Sequence, residues 1–283
     1  MTDIWVCGNC HSVNRQRSKK CYKCGEPQAT ADTGVLATHR QEEAIAARSV
    51  VRYRPSSALG FMTCLFLLAL AGITIAQLVL EIRFYPTLVD ALDNLGSSQT
   101  TEKVLDAARE AFPYAIAGFG IVVFTLLFFG AWLSRVVSNV PALGGGVPAT
   151  SPGAAFRQTL IPLVNLWKVP GIITDVLYRL DPTGGGLFMV GVAWVGLVGS
   201  WLISFFAGWY IDLRLQFDAF NAANLDEYLQ SAHTLVWVGL IIDAICAVLI
   251  ALGAVVLIAL IVRIERRSRN RDAEVRALAD SLS

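Results

Sequence analysis

The sequence predicts an all-α integral membrane protein with four transmembrane helices, a cytoplasmic interfacial helix and a small N-terminal module. Three observations predict this fold class. First, the chain of 283 residues is 55% hydrophobic and only 16% charged, whereas soluble chains carry about 25% charged residues. Second, four apolar segments are long enough to cross a hydrocarbon core of about 30 Å. Third, the cysteines concentrate in paired spacing at the polar N-terminus.

The N-terminal module, predicted to cover residues 1–25, contains two Cys-x2-Cys pairs. Four thiolates at this spacing suit one tetrahedral Zn²⁺ ion. Because four protein ligands leave no open position for water, this zinc is expected to fold the module and not to catalyse a reaction. Free or disulfide-bonded cysteines are the alternative. The predicted ligands, which would form a zinc-ribbon-like finger, are Cys7, Cys10, Cys21 and Cys24.

The module resembles the Ran-binding-protein type of zinc finger. Fingers of that type have a Trp two residues before the first cysteine and an Asn four residues after the second, and Trp5 and Asn14 occupy these positions here. Members of that family bind ubiquitin or single-stranded RNA, so the resemblance implies a cytoplasmic protein or RNA as partner. Ubiquitin binders carry a Thr-Phe-like pair where this chain has His11 and Ser12, and RNA binders carry an aromatic residue where it has Arg15. The resemblance therefore implies the fold of the finger more directly than its ligand.

A basic surface accompanies the finger, and a polar linker, 26–57, follows it. The basic side chains would contact phosphates or anionic lipid headgroups, or they would form an ordinary solvated face. They are Arg15, Arg17, Lys19, Lys20 and Lys23.

The predicted membrane domain, 58–262, contains four spans. Lys and Arg collect before the first span, between the second and third, and after the fourth, and the positive-inside rule then places both termini in the cytoplasm. Tyr53 and Trp132 would mark inner ends of spans. The expected location is the bacterial plasma membrane, with the lipid bilayer as partner and a homo-oligomer as a possible assembly. The spans are 58–80, 113–133, 187–211 and 235–262, with a basic cytoplasmic tail at 263–283.

An interfacial segment, 151–182, separates the second and third spans. Pro162 and Pro170 interrupt it, and five apolar residues share one helical face after Pro170, which is typical of a helix in the membrane interface. The alternative, a fifth span, would move the tail outside. The apolar residues are Ile172, Ile173, Val176, Leu177 and Leu180. Earlier in the segment, Asn165, Trp167 and Lys168 are possible interfacial contacts to lipid or to a partner. The alternative is that these three residues only form a structural bend at the interface.

Asp243 is the only charged residue inside a predicted span. An intramembrane charge indicates function by default, so Asp243 either handles an ion or proton or ties neighbouring helices together. Small residues recur every four positions in two spans and predict close helix packing. They are Gly196, Ser200, Ser204 and Gly208 in the third span, and Gly239, Ala247 and Ala251 beside Asp243 in the fourth.

Motifs of the membrane domain resemble an uncharacterised bacterial membrane-protein family, common in actinobacteria and grouped only as a domain of unknown function. The motifs lie at 132–135, 139–144, 151–153, 162–168 and 181–182, and the resemblance would cover about 55–265. No catalytic constellation is recognisable, so we expect no enzyme. The sequence predicts a membrane-anchored adaptor or regulator acting through its zinc module, with a small transporter or channel regulated by the finger as the alternative.

Overall fold

The computed structural model describes residues 4–7, 13–15, 19–21, 24–27, 53–94, 98–180, 186–221 and 225–282. Most of the predicted linker lies outside these residues. The described chain begins with a two-stranded antiparallel hairpin of β1 (Ile4–Val6) and β2 (Val13–Arg15). Six helices follow. They are α1 (Ser57–Asp93), α2 (Ser98–Asn139), α3 (Pro152–Leu160), α4 (Pro162–Leu180), α5 (Leu187–Asn221) and α6 (Leu225–Leu282).

Four of these helices, α1, α2, α5 and α6, are long and apolar enough to cross a membrane, with mean hydropathy of 2.3, 2.3, 1.9 and 3.3 in their most apolar windows. This confirms the predicted all-α membrane fold. Each helix continues beyond its predicted span. The 58 residues of α6 extend over about 87 Å at about 1.5 Å per residue, so the predicted tail 263–283 is mostly a continuation of the fourth spanning helix.

For the segment 81–112 the sequence predicts a loop with two short helices, and in the described residues this helical structure is continuous with α1 and α2. Helix α1 continues through Pro86, and α2 passes through Pro113. A proline removes one backbone donor, and contacts between the helices offset that loss. Arg83 lies 3.0 Å from Glu110, and other contacts across helices are Lys103 with Asp90 at 3.2 Å and the Tyr85 ring with the Trp237 ring at 5.2 Å.

Contacts divide the chain into two compact units. Unit 1 contains Met1–Phe61, Phe128–Val190 and Leu260–Ser283, and unit 2 contains Met62–Leu127 and Gly191–Ala259. Within unit 1, the Ser56 hydroxyl donates a 2.6 Å hydrogen bond to Glu265. The residues that precede the first span and follow the fourth therefore lie together. Among the described helices, those of the interfacial segment are not among the four that are long and apolar enough to cross a membrane.

The interfacial segment forms two helices in unit 1, α3 and α4, which meet at Ile161. The five residues of the predicted apolar face are all buried. This face is therefore covered by protein, and only the opposite side of α4 remains for lipid headgroups. Trp132 is likewise fully buried, so its expected place in an interfacial aromatic belt was wrong. Its ring packs against Phe129, with the centroids 5.8 Å apart.

In unit 2, α5 and α6 cross with their backbones in close contact. A β-carbon on Gly196 would lie 2.7 Å from the Cα of Gly253. Gly196 lies in a π-helical turn, Val195–Gly199, within α5. Only half of the predicted row of small residues in the third span packs here: Gly196 and Ser200 are buried, and the Cys246 thiol donates to the Ser200 carbonyl at 3.5 Å, whereas Ser204 and Gly208 are exposed. The contacting row on α6, however, contains Cys246 and Gly253 and is offset from the predicted row.

Candidate functional site

Three cysteines of the N-terminal module come together around the hairpin. Cys7 directly follows β1, and the Gly25 amide donates a 3.0 Å hydrogen bond to the Cys21 carbonyl. Gly25 has φ of +76°, which favours glycine. The sulfur atoms of Cys7, Cys21 and Cys24 all lie within 4.8 Å of one another. This arrangement is able to hold a metal ion.

The distances between the sulfurs fit a thiolate metal site. The Sγ atoms of Cys7 and Cys24 are 3.4 Å apart, much longer than the roughly 2.05 Å of a disulfide. Two sulfurs bound tetrahedrally at about 2.3 Å from Zn²⁺ lie about 3.8 Å apart. Cys7 and Cys21 are buried and Cys24 is exposed. Cys10, the fourth predicted ligand, lies outside the described residues, so its role stays a prediction.

The hairpin also pairs the two residues on which the resemblance to the zinc-finger family rests. Trp5 stands opposite Asn14 in the register of the strands. Arg15 ends β2, and Lys19 and Lys20 are exposed. Lys19 and Lys20 directly precede Cys21, so exposed basic side chains lie beside the cysteine cluster. His11, Ser12, Arg17 and Lys23 lie outside the described residues.

Asp243, in α6, faces two cavities of unit 2, of about 410 Å³ and 260 Å³. Glu81, in α1, lines the same two cavities. Sequence reasoning missed Glu81 because it lies one residue beyond the predicted first span. The available signal was helical spacing, since Gln77, Glu81 and Tyr85 recur every four residues and so share a face.

The predicted interfacial contacts, Asn165, Trp167 and Lys168, lie early in α4. The Asn165 side chain donates a 2.9 Å hydrogen bond to the carbonyl of Thr159 in the last turn of α3. It therefore satisfies one of the carbonyl groups that have no intrahelical partner where α3 ends at Leu160. Trp167 is 72% exposed and Lys168 is also exposed, so both side chains are available to headgroups or a partner.

Hydrogen bonds that are buried at Glu265 and part-buried at Asn139 hold the chain where it enters the first spanning helix. The Asn139 amide donates to the Arg54 carbonyl at 2.7 Å and accepts from the Arg54 amide at 3.1 Å. Glu265 accepts from Ser56 at 2.6 Å and from the Trp132 indole at 2.9 Å. We call these five residues the juxtamembrane latch. The sequence did not indicate it, because its members are distant along the chain.

Tyr53 lies next to the latch, and burial is the main cause that raises its pKa above the ordinary value of 10.0. The negative charges of Glu265 and Asp272 raise the pKa further, against smaller opposing effects of Arg269 and Arg276. Both causes disfavour the phenolate. Tyr53 therefore stays neutral and amphipathic at the entry to the membrane domain.

The fold and the cysteine cluster together define a helical membrane protein with an N-terminal candidate metal centre. The chain belongs to the family described as a domain of unknown function (DUF4328), whose model matches residues 96–266. The expected domain of unknown function is thereby confirmed, although the match begins near α2 and not at about residue 55. No curated protein and no solved structure matches the chain.

Proposed function

We propose that the chain is a non-enzymatic, membrane-anchored adaptor or regulator that acts through a cytoplasmic zinc module. The observation that carries the proposal is the cluster of three cysteine sulfurs within 4.8 Å on a chain with four membrane-type helices. With Cys10 as the fourth ligand, the site is closed and structural. The zinc then orders the hairpin, so that the module presents a binding surface, and the ion does not activate water.

The partner of the module is a cytoplasmic protein or RNA that contacts the surface near Arg15, Lys19 and Lys20. The resemblance to the Ran-binding-protein type of finger supports this class of partner. The distribution of Lys and Arg supports cytoplasmic termini, and the family resemblance supports a bacterial plasma membrane. The juxtamembrane latch supports a regulatory role, because it gives the linker a fixed attachment at Arg54 and Ser56.

Crosslinking in intact membranes tests the adaptor proposal. The wild-type protein is compared with a Cys21→Ser/Cys24→Ser double variant and with Cys64→Ser, whose cysteine lies in α1 outside the cluster. We expect the double variant to insert into the membrane but to lose specific protein or RNA partners, while Cys64→Ser keeps them. Capture of the same material by all three forms would contradict an adaptor role for the finger.

A small transporter or channel is the second candidate, with the finger as its regulatory domain. Asp243 favours it, because this intramembrane carboxylate faces cavities in unit 2. If the purified protein carries a solute flux in liposomes, that flux is expected to be lower for the Asp243→Asn variant than for the wild type. An unchanged flux in that variant would count against this candidate.

A further inference from the structure

The larger cavity of unit 2 has the composition of a small-molecule site. Its volume of about 410 Å³ falls within the roughly 300–1,000 Å³ of such sites. Its walls are mostly apolar, with Phe84 and Tyr85 from α1, Ala107 from α2 and Leu240 from α6. Glu81 and Asp243 line it and also line the neighbouring cavity of about 260 Å³. A pair of carboxylates is therefore shared by an apolar cavity and a smaller, more polar one.

Neither carboxylate has a hydrogen-bond or ion-pair partner within the described part of the chain. The Lys and Arg side chains of unit 2 are paired with other acids. These pairs are Arg83 with Glu110, Lys103 with Asp90, Arg109 with Asp106 and Arg214 with Asp218. His233 likewise contacts Asp93. Within unit 2, the protein supplies no cation to Glu81 and Asp243. Glu81 is exposed and Asp243 is half-buried, and a cation placed beside such a carboxylate favours its charged form.

The composition of the walls selects the kind of cation. Calcium takes six to eight oxygen ligands, and magnesium demands near-octahedral oxygen geometry. The larger cavity supplies few oxygen atoms besides the two carboxylates. An organic cation needs no coordination shell, and its apolar body gains about 25 cal/mol per Å² of surface that the walls remove from water. The ring of Tyr85 also attracts a positive charge, whereas the Phe84 ring already has the Arg83 guanidinium 5.7 Å from its centroid.

We propose that unit 2 binds an amphiphilic organic cation, such as a quaternary ammonium or phosphonium compound. The positive centre lies beside Glu81 and Asp243, and the apolar body occupies the cavity of about 410 Å³. This site goes beyond the adaptor function and is independent of the zinc module. Binding requires neither bound zinc nor transport, so the proposal stands or fails separately from both functions above.

Equilibrium binding of radiolabelled tetraphenylphosphonium to the full chain in lipid nanodiscs tests the site. Counts from empty nanodiscs are subtracted, which removes partitioning into lipid. Tetraphenylborate serves as a probe of matched shape and opposite charge. We expect saturable binding of the phosphonium and no saturable binding of the borate. Absence of phosphonium binding, or equal binding of both ions, would overturn the proposal.

Variants then locate the charge and the cavity separately. Glu81→Gln and Asp243→Asn preserve shape, and each is expected to weaken phosphonium binding by about fivefold, as for loss of one partner of a partly exposed charge pair. Asp106→Asn removes an exposed carboxylate paired with Arg109 and is expected to leave affinity unchanged. Ala107→Phe fills the cavity and is expected to weaken binding although both carboxylates remain.

Each variant is first shown to keep the elution volume and thermal midpoint of the wild type, so that lost binding is not lost folding. Unchanged affinity in the Glu81→Gln/Asp243→Asn double variant would overturn the role of the carboxylates. Unchanged affinity in Ala107→Phe would overturn the assignment to this cavity. A Cys21→Ser/Cys24→Ser variant is expected to bind the phosphonium as the wild type does.

Discussion

Replacing Gly196 with alanine tests the helix crossing in unit 2. A β-carbon there would lie 2.6 Å from the Leu249 carbonyl oxygen and 2.7 Å from the Cα of Gly253. Both are backbone atoms, so no side-chain rotation relieves the overlap and the helices must move apart. Gly208 lies in the same four-residue row of α5, and a β-carbon there would meet no atom within 4 Å. Gly208→Ala is therefore a matched control.

The difference between the two variants isolates the crowding. Alanine is more favourable than glycine in a helix by about 0.5–1 kcal/mol, and this gain is common to both. Overpacking costs about 1–3 kcal/mol, and it falls on Gly196→Ala alone. We therefore expect Gly196→Ala to be less stable than Gly208→Ala by about 1–3 kcal/mol, and Gly208→Ala to match or exceed the wild type.

Unfolding of the three proteins in mixed micelles with increasing SDS measures these free energies, with helicity and tryptophan fluorescence as parallel signals. Coincident transitions in the two signals would justify a two-state treatment. Equal midpoints for Gly196→Ala and Gly208→Ala would refute the close backbone contact between α5 and α6.

Three further outcomes are expected in unit 1. Glu265→Ala leaves the Trp132 indole without its acceptor and should lower the free energy of unfolding by about 1–3 kcal/mol, measured by chemical denaturation. Burial raises the pKa of Tyr53 above 10.0, so the unfolded chain releases the phenolic proton at lower pH than the folded chain does. The free energy of unfolding therefore falls as pH rises past about 10. Tyr53→Phe should reduce this alkaline loss of stability, measured by thermal unfolding at a series of pH values. Asn165→Ala removes the cap on the Thr159 carbonyl and should speed local hydrogen exchange in α3, whereas exchange matching the wild type would contradict the cap.

The sequence predicted the four spans because uncharged apolar runs of about 20 residues are typical of transmembrane helices. It predicted helical structure beside the spans but not its continuity with them, because the pairs that join the extensions are distant in sequence. Arg83 contacts Glu110, and His233 contacts Asp93 across 140 positions. The apolar face of α4 was identified correctly, but periodicity alone cannot distinguish a face that contacts lipid from one that contacts protein.

The candidate sites were predictable to different degrees. Cysteine spacing is a local signal, and three of the four predicted ligands converge in the structure. Asp243 was recognised because a charge within an apolar run is conspicuous. Glu81 was not, because the end of a span is read from composition and a glutamate there looks like the start of a loop. Glu265 was missed for a related reason, since its donors lie 209 and 133 positions away.

The metal content of the purified chain tests the central claim most directly. Inductively coupled plasma mass spectrometry on protein purified without added metal gives zinc per chain, with Cys21→Ser/Cys24→Ser as comparison and Cys64→Ser as control. The account predicts about one zinc per chain in the wild type and in Cys64→Ser, and almost none in the double variant. A wild-type protein without zinc, or a double variant with as much zinc as the wild type, would contradict the assignment of the cysteine cluster as a zinc module.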